Sequence, residues 1–247
     1  MSTTDNRDYY DAFSTGYDVG RDAGYHRLID EQAAELVRRV GKGRDVLEVG
    51  CGTGLILERV SRFAKSAKGI DLSPGMLERA RARGLDVVEG SATDLPFDDA
   101  SFDVAYSFKV LAHVPDLDRA LAEMARVVRP GGHIVFDAYN RQSLRYLVKR
   151  LFGPRATSTS FDEGAITTRF QTPEQVQASL PPGTRVVRQS GIRIMIPWAG
   201  VLRLPAVGRV IEGLEWRLMD TGLARWAGFV VHTLQKDGPR SNGETPR

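Results

Sequence analysis

Short apolar runs alternate with stretches of helical period along most of the chain. Asp45 to Val49 (DVLEV) predicts a strand, Gly50 to Gly54 a loop and Leu55 to Phe63 a helix. Ala67 to Ile70 predicts a second strand, ending at Asp71. Ser73 and Pro74 then supply an N-cap and a first helical residue, opening a helix to about Arg83. Three more strands are predicted over Asp86 to Glu89, Phe102 to Ser107 and His133 to Asp137. Between the last two, Leu117, Leu121, Met124 and Val128 form the apolar stripe of a helix over Leu117 to Val128, and Pro130-Gly131-Gly132 reads as a turn.

Two helices, about Tyr9 to Phe13 and Tyr25 to Val40, are predicted ahead of the first strand. The pattern changes after the fifth strand. Ser143 to Phe152 reads as helix, Gly153 to Ile166 as loop, and Thr172-Pro173-Glu174 opens a short helix. Arg185 to Ile196 alternates like a strand, Trp198 to Trp226 is mostly helical, and Gly228 to Leu234 closes as a strand. No fixed-period repeat is present. Strands alternating with helices at this spacing predict βαβ units and a doubly wound, mostly parallel α/β sheet. We divide the chain into a helical segment over 1–40, a main domain over 41–237 and a polar tail over 238–247, expected to be disordered. Residues 194–226 form a helical insertion where a short hairpin is expected. Its stripe of Val207, Val210, Ile211, Leu214 and Leu218 either extends the core or caps an acceptor pocket.

Composition changes this picture little. The chain has 247 residues, 42% hydrophobic and 26% charged, ordinary for a soluble globular protein. Its single cysteine, Cys51, excludes an intrachain disulfide and fits a reducing, cytoplasmic setting. No signal-peptide pattern and no apolar run of membrane-spanning length is read, so no transmembrane segment is expected. A net charge of +3 demands no nucleic-acid partner, and no basic-aromatic tract suggests one. Arg141, Arg145 and Lys149 recur on one face of a predicted helix. That face is either solvated or a peripheral contact with anionic lipid.

The strongest chemical signal is the strand and glycine loop Val46-Leu47-Glu48-Val49-Gly50-Cys51-Gly52-Thr53-Gly54. Glycines there let a ligand approach the backbone, at the crevice where nucleotide cofactors sit on such sheets. A dinucleotide fingerprint from Gly50 needs a third small residue where Leu55 stands, which argues against the alternative of a dinucleotide-dependent oxidoreductase. Glu48 is a poor neighbour for pyrophosphate but suits a cofactor carrying a sulfonium and an ammonium. Asp71, 17 positions after Gly54, is placed to accept both ribose hydroxyls. No metal-ligand set is read.

Together VLEVGCGTG, GIDLSPGML, LPFDDASFDVAYS and ALAEMARVVRPGGHIVF resemble the class I S-adenosylmethionine-dependent methyltransferases, most closely the small-molecule and quinone-biosynthesis branch. The resemblance covers about Tyr9 to Tyr139. It implies a seven-stranded Rossmann-like sheet with an antiparallel C-terminal strand, an N-terminal helical lid, and S-adenosyl-L-methionine as cofactor. It implies that Glu48, Gly50, Cys51, Gly52 and Gly54 line the methionine and adenosine path. Asp71 would hold the ribose, with Leu72 and Met76 beside the adenine. Ala92 and Thr93 would flank the base. Ser107 and Phe108 would face cofactor and substrate. Tyr17, in the pair Tyr17-Asp18, would lie by the methionine portion. One departure stands out: Ser91 occupies the place where the family often has an acid for the adenine amino group. Either Ser91 makes a weaker contact there, or backbone groups of Ala92 and Thr93 replace it.

The expected reaction is methyl transfer to a small-molecule acceptor, on oxygen or carbon of a hydrophobic, lipid or quinone-like compound. Alignment supplies much of the acceleration, and an oxygen nucleophile also needs a base. His113, just past the fourth strand, is the candidate base, against a reading as a loop histidine held by a backbone carbonyl. Lys109 reads as a solvated side chain. Tyr9, Tyr10, Phe13 and Tyr17 either form a lid or pack as an ordinary amphipathic helix, and Tyr25 and His26 follow close enough to reach the same mouth. Cys51 reads as a packing residue, since a nucleophilic cysteine is expected near strand four or five. A cofactor-binding protein without transfer activity is the remaining alternative.

Overall fold

The computed structural model describes residues 7, 10–11, 14–21, 23–143, 146–147, 150, 168–196 and 199–238. Its centre is a set of apolar strands with both faces covered, the reason their sequences run apolar rather than alternate. β1 (Asp45–Val49) pairs in parallel with β2 (Ser66–Asp71) on one side and with β4 (Phe102–Ser107) on the other. β3 (Asp86–Glu89) extends the β2 edge. β5 (Val128–Asn140) follows β4, and the two-residue β6 (Phe170–Gln171) pairs with its end. β8 (Phe229–Lys236) runs antiparallel between β5 and β7 (Thr184–Ile192). The order is therefore β3-β2-β1-β4-β5-β8-β7. The chain reverses direction across the sheet between β1 and β4, the switch point at which such sheets open a ligand crevice.

Alternate residues of each strand feed two cores. Val46, Val104 and Val135 face α1 (Gly24–Gly41), which buries Leu28, Ile29, Ala33, Leu36 and Val37 against them. Leu47, Ala105 and Ile134 face α4 (Leu117–Val127), which contributes Leu117, Ala120, Leu121 and Met124. Each fully buried Leu of this kind stabilises the fold by about 1.5–3 kcal/mol. Helix starts follow the predicted chemistry. The Ser73 hydroxyl accepts from Met76 N ahead of Pro74 in α3 (Pro74–Ala82), and Thr172 with Gln175 forms a capping box on α5 (Pro173–Ala178). α2 (Leu55–Ser61) begins at Gly54, whose φ is +84°.

Three expectations change. Pro130-Gly131-Gly132 is not a free turn but part of β5, taken up by a register shift that sets Phe102 opposite Val128 and Val104 opposite His133. Gly131 supplies a φ of +81°, and a Cβ on Gly132 would stand 2.5 Å from the Asp103 carbonyl oxygen. The predicted strand Arg185 to Ile196 stops at Ile192, where Arg193 turns to a φ of +64°. In the insertion, α6 (Pro205–Leu218) is rotated relative to its predicted stripe. Gly208, Glu215 and Met219 are buried, while Val207 and Val210 are exposed. The Glu215 carboxylate causes this by accepting from Ile194 N and Met195 N, at 3.0 and 2.6 Å.

Of the predicted helix Tyr9 to Phe13, Tyr10 and Asp11 are helical, and Tyr9 and Phe13 lie outside the described residues. So do Leu144, Arg145, Val148, Lys149, Leu151 and Phe152, the loop 153–166, Pro197, Trp198 and the tail from 239. Among the described residues, no helix is long and apolar enough to cross a membrane.

Candidate active site

The glycine loop is shaped by its strand neighbours. Gly50 N and Cys51 N both donate to the Ile70 carbonyl, at 2.7 and 3.0 Å, turning the chain sharply after β1. Gly50 takes a φ of +78°, and a Cβ there would lie 2.5 Å from Val110. Gly52 takes a φ of +54°, with nothing within 4 Å of where a Cβ would stand, so the backbone faces open space. Its N–H donates to Asp71 Oδ2 at 2.8 Å, and Ser73 N donates to Asp71 Oδ1 at 3.0 Å. The carboxylate is thereby fixed in one orientation with lone pairs to spare. Burial raises its pKa, against the pull of those N–H donors. Glu48 is buried opposite Tyr106, whose hydroxyl donates to it at 3.2 Å, and burial holds its carboxyl well above the usual range.

One crevice gathers most of the predicted residues: Tyr17, Glu48, Gly50, Cys51, Gly52, Asp71, Leu72, Met76, Ser91, Ala92, Thr93, Phe108 and His113. Gly54 and Ser107 do not line it. Gly54 serves as the N-cap of α2, and the Ser107 hydroxyl is turned inward, donating to the Val49 carbonyl at 2.7 Å. The Ser91 and Thr93 hydroxyls hold each other at 2.8 Å. Thr93 N donates to Ser91 Oγ, and Thr93 O accepts from Arg119. Burial pushes the Cys51 thiol far up, as suits a packing residue.

The N-terminal segment is stitched over this loop. Asp11 accepts from the Ser73 hydroxyl and from Gly75 N, Asp18 accepts from the Thr53 hydroxyl at 2.6 Å, and Arg83 pairs with Asp18 at 2.9 Å. Tyr10 and Tyr17 thereby join the wall, with the Arg21 guanidinium over the Tyr17 ring.

Beyond the glycine loop the crevice continues into a chamber. His26 and Asp30 of α1, Lys109, Tyr139 of β5, Phe229 of β8 and Arg193 line it. Lys109 is not solvated: its Nζ donates to Asp30 Oδ1 at 2.6 Å, and its backbone, at a φ of +62°, donates to Asp137. Burial works against the Lys109 charge, but Asp30 outweighs it and the pKa is raised. His113 ends a short 3-10 turn (Leu111–His113), with its ring edge-on to Tyr139. Arg193 is buried, donating to the Ile196 carbonyl and the Tyr25 hydroxyl. Asp30, Arg193, Tyr139 and Phe229 were not picked out by sequence. A lone acid within the apolar stripe of α1 was the available signal for Asp30. None of the described residues of 199–226 lines the crevice.

Residues 47–136 match a family described as a methyltransferase domain, a stretch that runs from within β1 through the glycine loop, Asp71 and β4 into β5. Residues 47–136 thus form a methyltransferase domain, and the chain is similar to S-adenosylmethionine-dependent methyltransferases. It is 37% identical over 113 residues to a ubiquinone biosynthesis O-methyltransferase of Alkalilimnicola ehrlichii, covering 43% of this chain and 46% of that one. It is 36% identical over 129 residues to a malonyl-[acyl-carrier protein] O-methyltransferase of Serratia marcescens, covering 47% and 51%. The matched stretch thus spans about half the length of these curated relatives. The fold is similar to a crystal structure of an S-adenosylmethionine-dependent methyltransferase from Thermotoga maritima, with a TM-score of 0.67, 22% identity and coverage of 93% and 98%. S-adenosylmethionine is the cofactor of the family. Its chemistry suits the donors here: the open backbone at Gly52, an oriented acid at Asp71 and a buried acid at Glu48.

Proposed function

We propose that this protein transfers a methyl group from S-adenosylmethionine to a small-molecule acceptor with an apolar body, through an oxygen nucleophile. The observation that carries this reading is the continuity of one crevice. It runs from the glycine loop and Asp71 to a chamber walled by Phe108, Tyr139 and Phe229 and holding acid–base groups. The cofactor supplies an activated methyl on a cationic sulfur. Asp71 accepts the ribose hydroxyls, and Glu48 offsets positive charge. With Thr93 N and O already engaged, the Ala92 backbone remains to meet the adenine edge. Tyr10 and Tyr17 exclude water from above, which keeps the reacting groups aligned. His113 takes the proton of the acceptor hydroxyl as it becomes a nucleophile.

Adenosylhomocysteine should raise the melting temperature, because it binds only the folded state, and NAD should not. By calorimetry, Asp71→Ala should weaken adenosylhomocysteine by roughly 1–3 kcal/mol. Undiminished affinity would take Asp71 out of the site. A screen of acceptors with methyl-labelled cofactor then identifies the product. On that acceptor, His113→Ala should lower turnover by about 10²–10⁴-fold with cofactor affinity kept, and near-full turnover would leave His113 only a structural role.

A further inference from the structure

Two atoms in the chamber wall are buried without a hydrogen-bond partner: His26 Nδ1 and Asp30 Oδ2. Buried polar atoms are nearly always paired, so each such atom calls for an explanation. Gln32 and His133 also carry unpaired atoms, but neither residue lines the crevice. His26 and Asp30 do, and they stand four residues apart on α1, one turn apart on the same face. Each is left without a partner inside the fold, one helical turn from the other.

The charges around them decide which donors fit. The other Asp30 oxygen already holds the Lys109 ammonium at 2.6 Å, so the carboxylate is compensated. Arg21 from the N-terminal segment and Arg193 from beyond β7 add two more cations to the wall, Glu48 lies close enough to interact with Asp30 and Lys109, and Tyr17, Tyr25, Tyr139 and His113 are its other nearby titratable groups. A fourth cation brought by an amine is repelled there, whereas a neutral hydroxyl is not. Burial, reinforced by Arg21 and Lys109, lowers the His26 pKa to about 4, so its ring is neutral at physiological pH. With the proton on Nε2, Nδ1 is an acceptor only. The apolar walls of Phe108, Tyr139 and Phe229 leave the rest of the ligand hydrophobic.

We propose that His26 and Asp30 form the docking end of the acceptor site and select a neutral acceptor bearing two neighbouring hydroxyls, a diol or a dihydroxylated ring. One hydroxyl donates to His26 Nδ1 and the other to Asp30 Oδ2, both serving to dock the acceptor, and the oxygen that is methylated with His113 as base is a separate one. The proposal rests on the methyl-transfer reading, since it names the acceptor of that same site.

The test uses calorimetry on the full chain saturated with adenosylhomocysteine. The probes are a dihydroxynaphthalene with vicinal hydroxyls, a naphthol and a naphthylmethylamine. The diol should bind roughly 10-fold tighter than the naphthol, the effect of one added hydrogen bond to a desolvated acceptor. His26→Leu and Asp30→Asn should each abolish that preference while adenosylhomocysteine affinity holds. His26→Asn, whose amide oxygen stands close to where Nδ1 does, should restore part of it. Should Asp30→Asn fail to fold with Lys109 left unpaired, His26→Leu decides alone, since His26 has no ion partner to strand. Equal binding of diol and naphthol, binding of neither, preference for the amine, or a preference that survives His26→Leu overturns the proposal. Loss of adenosylhomocysteine affinity in the variants assigns the pair to the cofactor and overturns it too. A wild-type chain that fails to bind adenosylhomocysteine sinks the methyl-transfer reading itself, whereas binding without discrimination sinks only this one.

Discussion

Glu48 shows at the scale of one residue how the site trades stability for binding. It is buried beside the Tyr106 hydroxyl, and burial raises its carboxyl pKa. The folded chain therefore holds this proton more tightly than the unfolded chain does. Between the ordinary carboxyl value and the raised one, the folded state binds more protons, so stability falls as pH rises. Asp71, also raised by burial, acts in the same direction. Glu48→Gln removes that penalty and keeps an acceptor for Tyr106. It should raise the melting temperature of the ligand-free protein at neutral pH and weaken S-adenosylmethionine by roughly 1.5–3 kcal/mol, the scale of a lost charged contact. Binding of the cationic cofactor to the wild type favours the ionised acids. Its affinity should therefore increase with pH through their titration and then level off, with proton release seen by calorimetry in buffers of different ionisation enthalpy. A flat affinity profile, or no apo stabilisation in Glu48→Gln, would contradict this account.

Elements differ in how much of them could be read ahead. β1 to β4 and the helices between them are local: capping at Ser73, apolar runs and the glycine loop all point the same way, and the chain folds accordingly. The Gly50, Glu48 and Asp71 part of the site was legible for the same reason, because consecutive elements build it. The chamber was not, because α1, β5, β8 and the Arg193 turn meet only in three dimensions. Lys109 looked solvated for want of any sign that Asp30 would be opposite. α6 is the clearest miss. Its sequence stripe pointed Val207 and Val210 inward, yet Glu215 is drawn in by the Ile194 and Met195 amides and rotates the helix. This rotation sets an expectation for thermal denaturation. Met219→Ala, at 1% exposure, should cost about 2–5 kcal/mol, while Val210→Ser, at 63% exposure, should stay within about 0.5 kcal/mol. The opposite ranking would restore the original stripe.

Across the whole molecule, the sheet fixes the floor of the crevice and the N-terminal segment closes its roof. The floor is rigid: β2 and β4 flank β1 and both pair with it, and the side chains of the three strands fill both cores. Among the described residues, the roof is held by polar contacts of Asp11, Thr15 and Asp18; Asp18 accepts from Thr53 in the glycine loop and pairs with Arg83 beyond α3. These contacts seat the adjacent Tyr17 in the crevice wall. A roof held by a handful of hydrogen bonds opens at lower free energy than a packed core, so it is where ligand exchange is expected to occur. Asp18→Ala removes both contacts and touches neither Glu48 nor Asp71. The variant should lose a few degrees of melting temperature, since it leaves the buried Thr53 hydroxyl unpaired while Arg83 is partly exposed. Its adenosylhomocysteine dissociation rate should rise by roughly 10-fold, the effect of losing about 1.4 kcal/mol of closing energy, with a smaller change in association rate. Stopped-flow displacement reads both rates. Unchanged dissociation in Asp18→Ala would mean that the segment is a fixed wall rather than a gate, and that the cofactor enters from the chamber end.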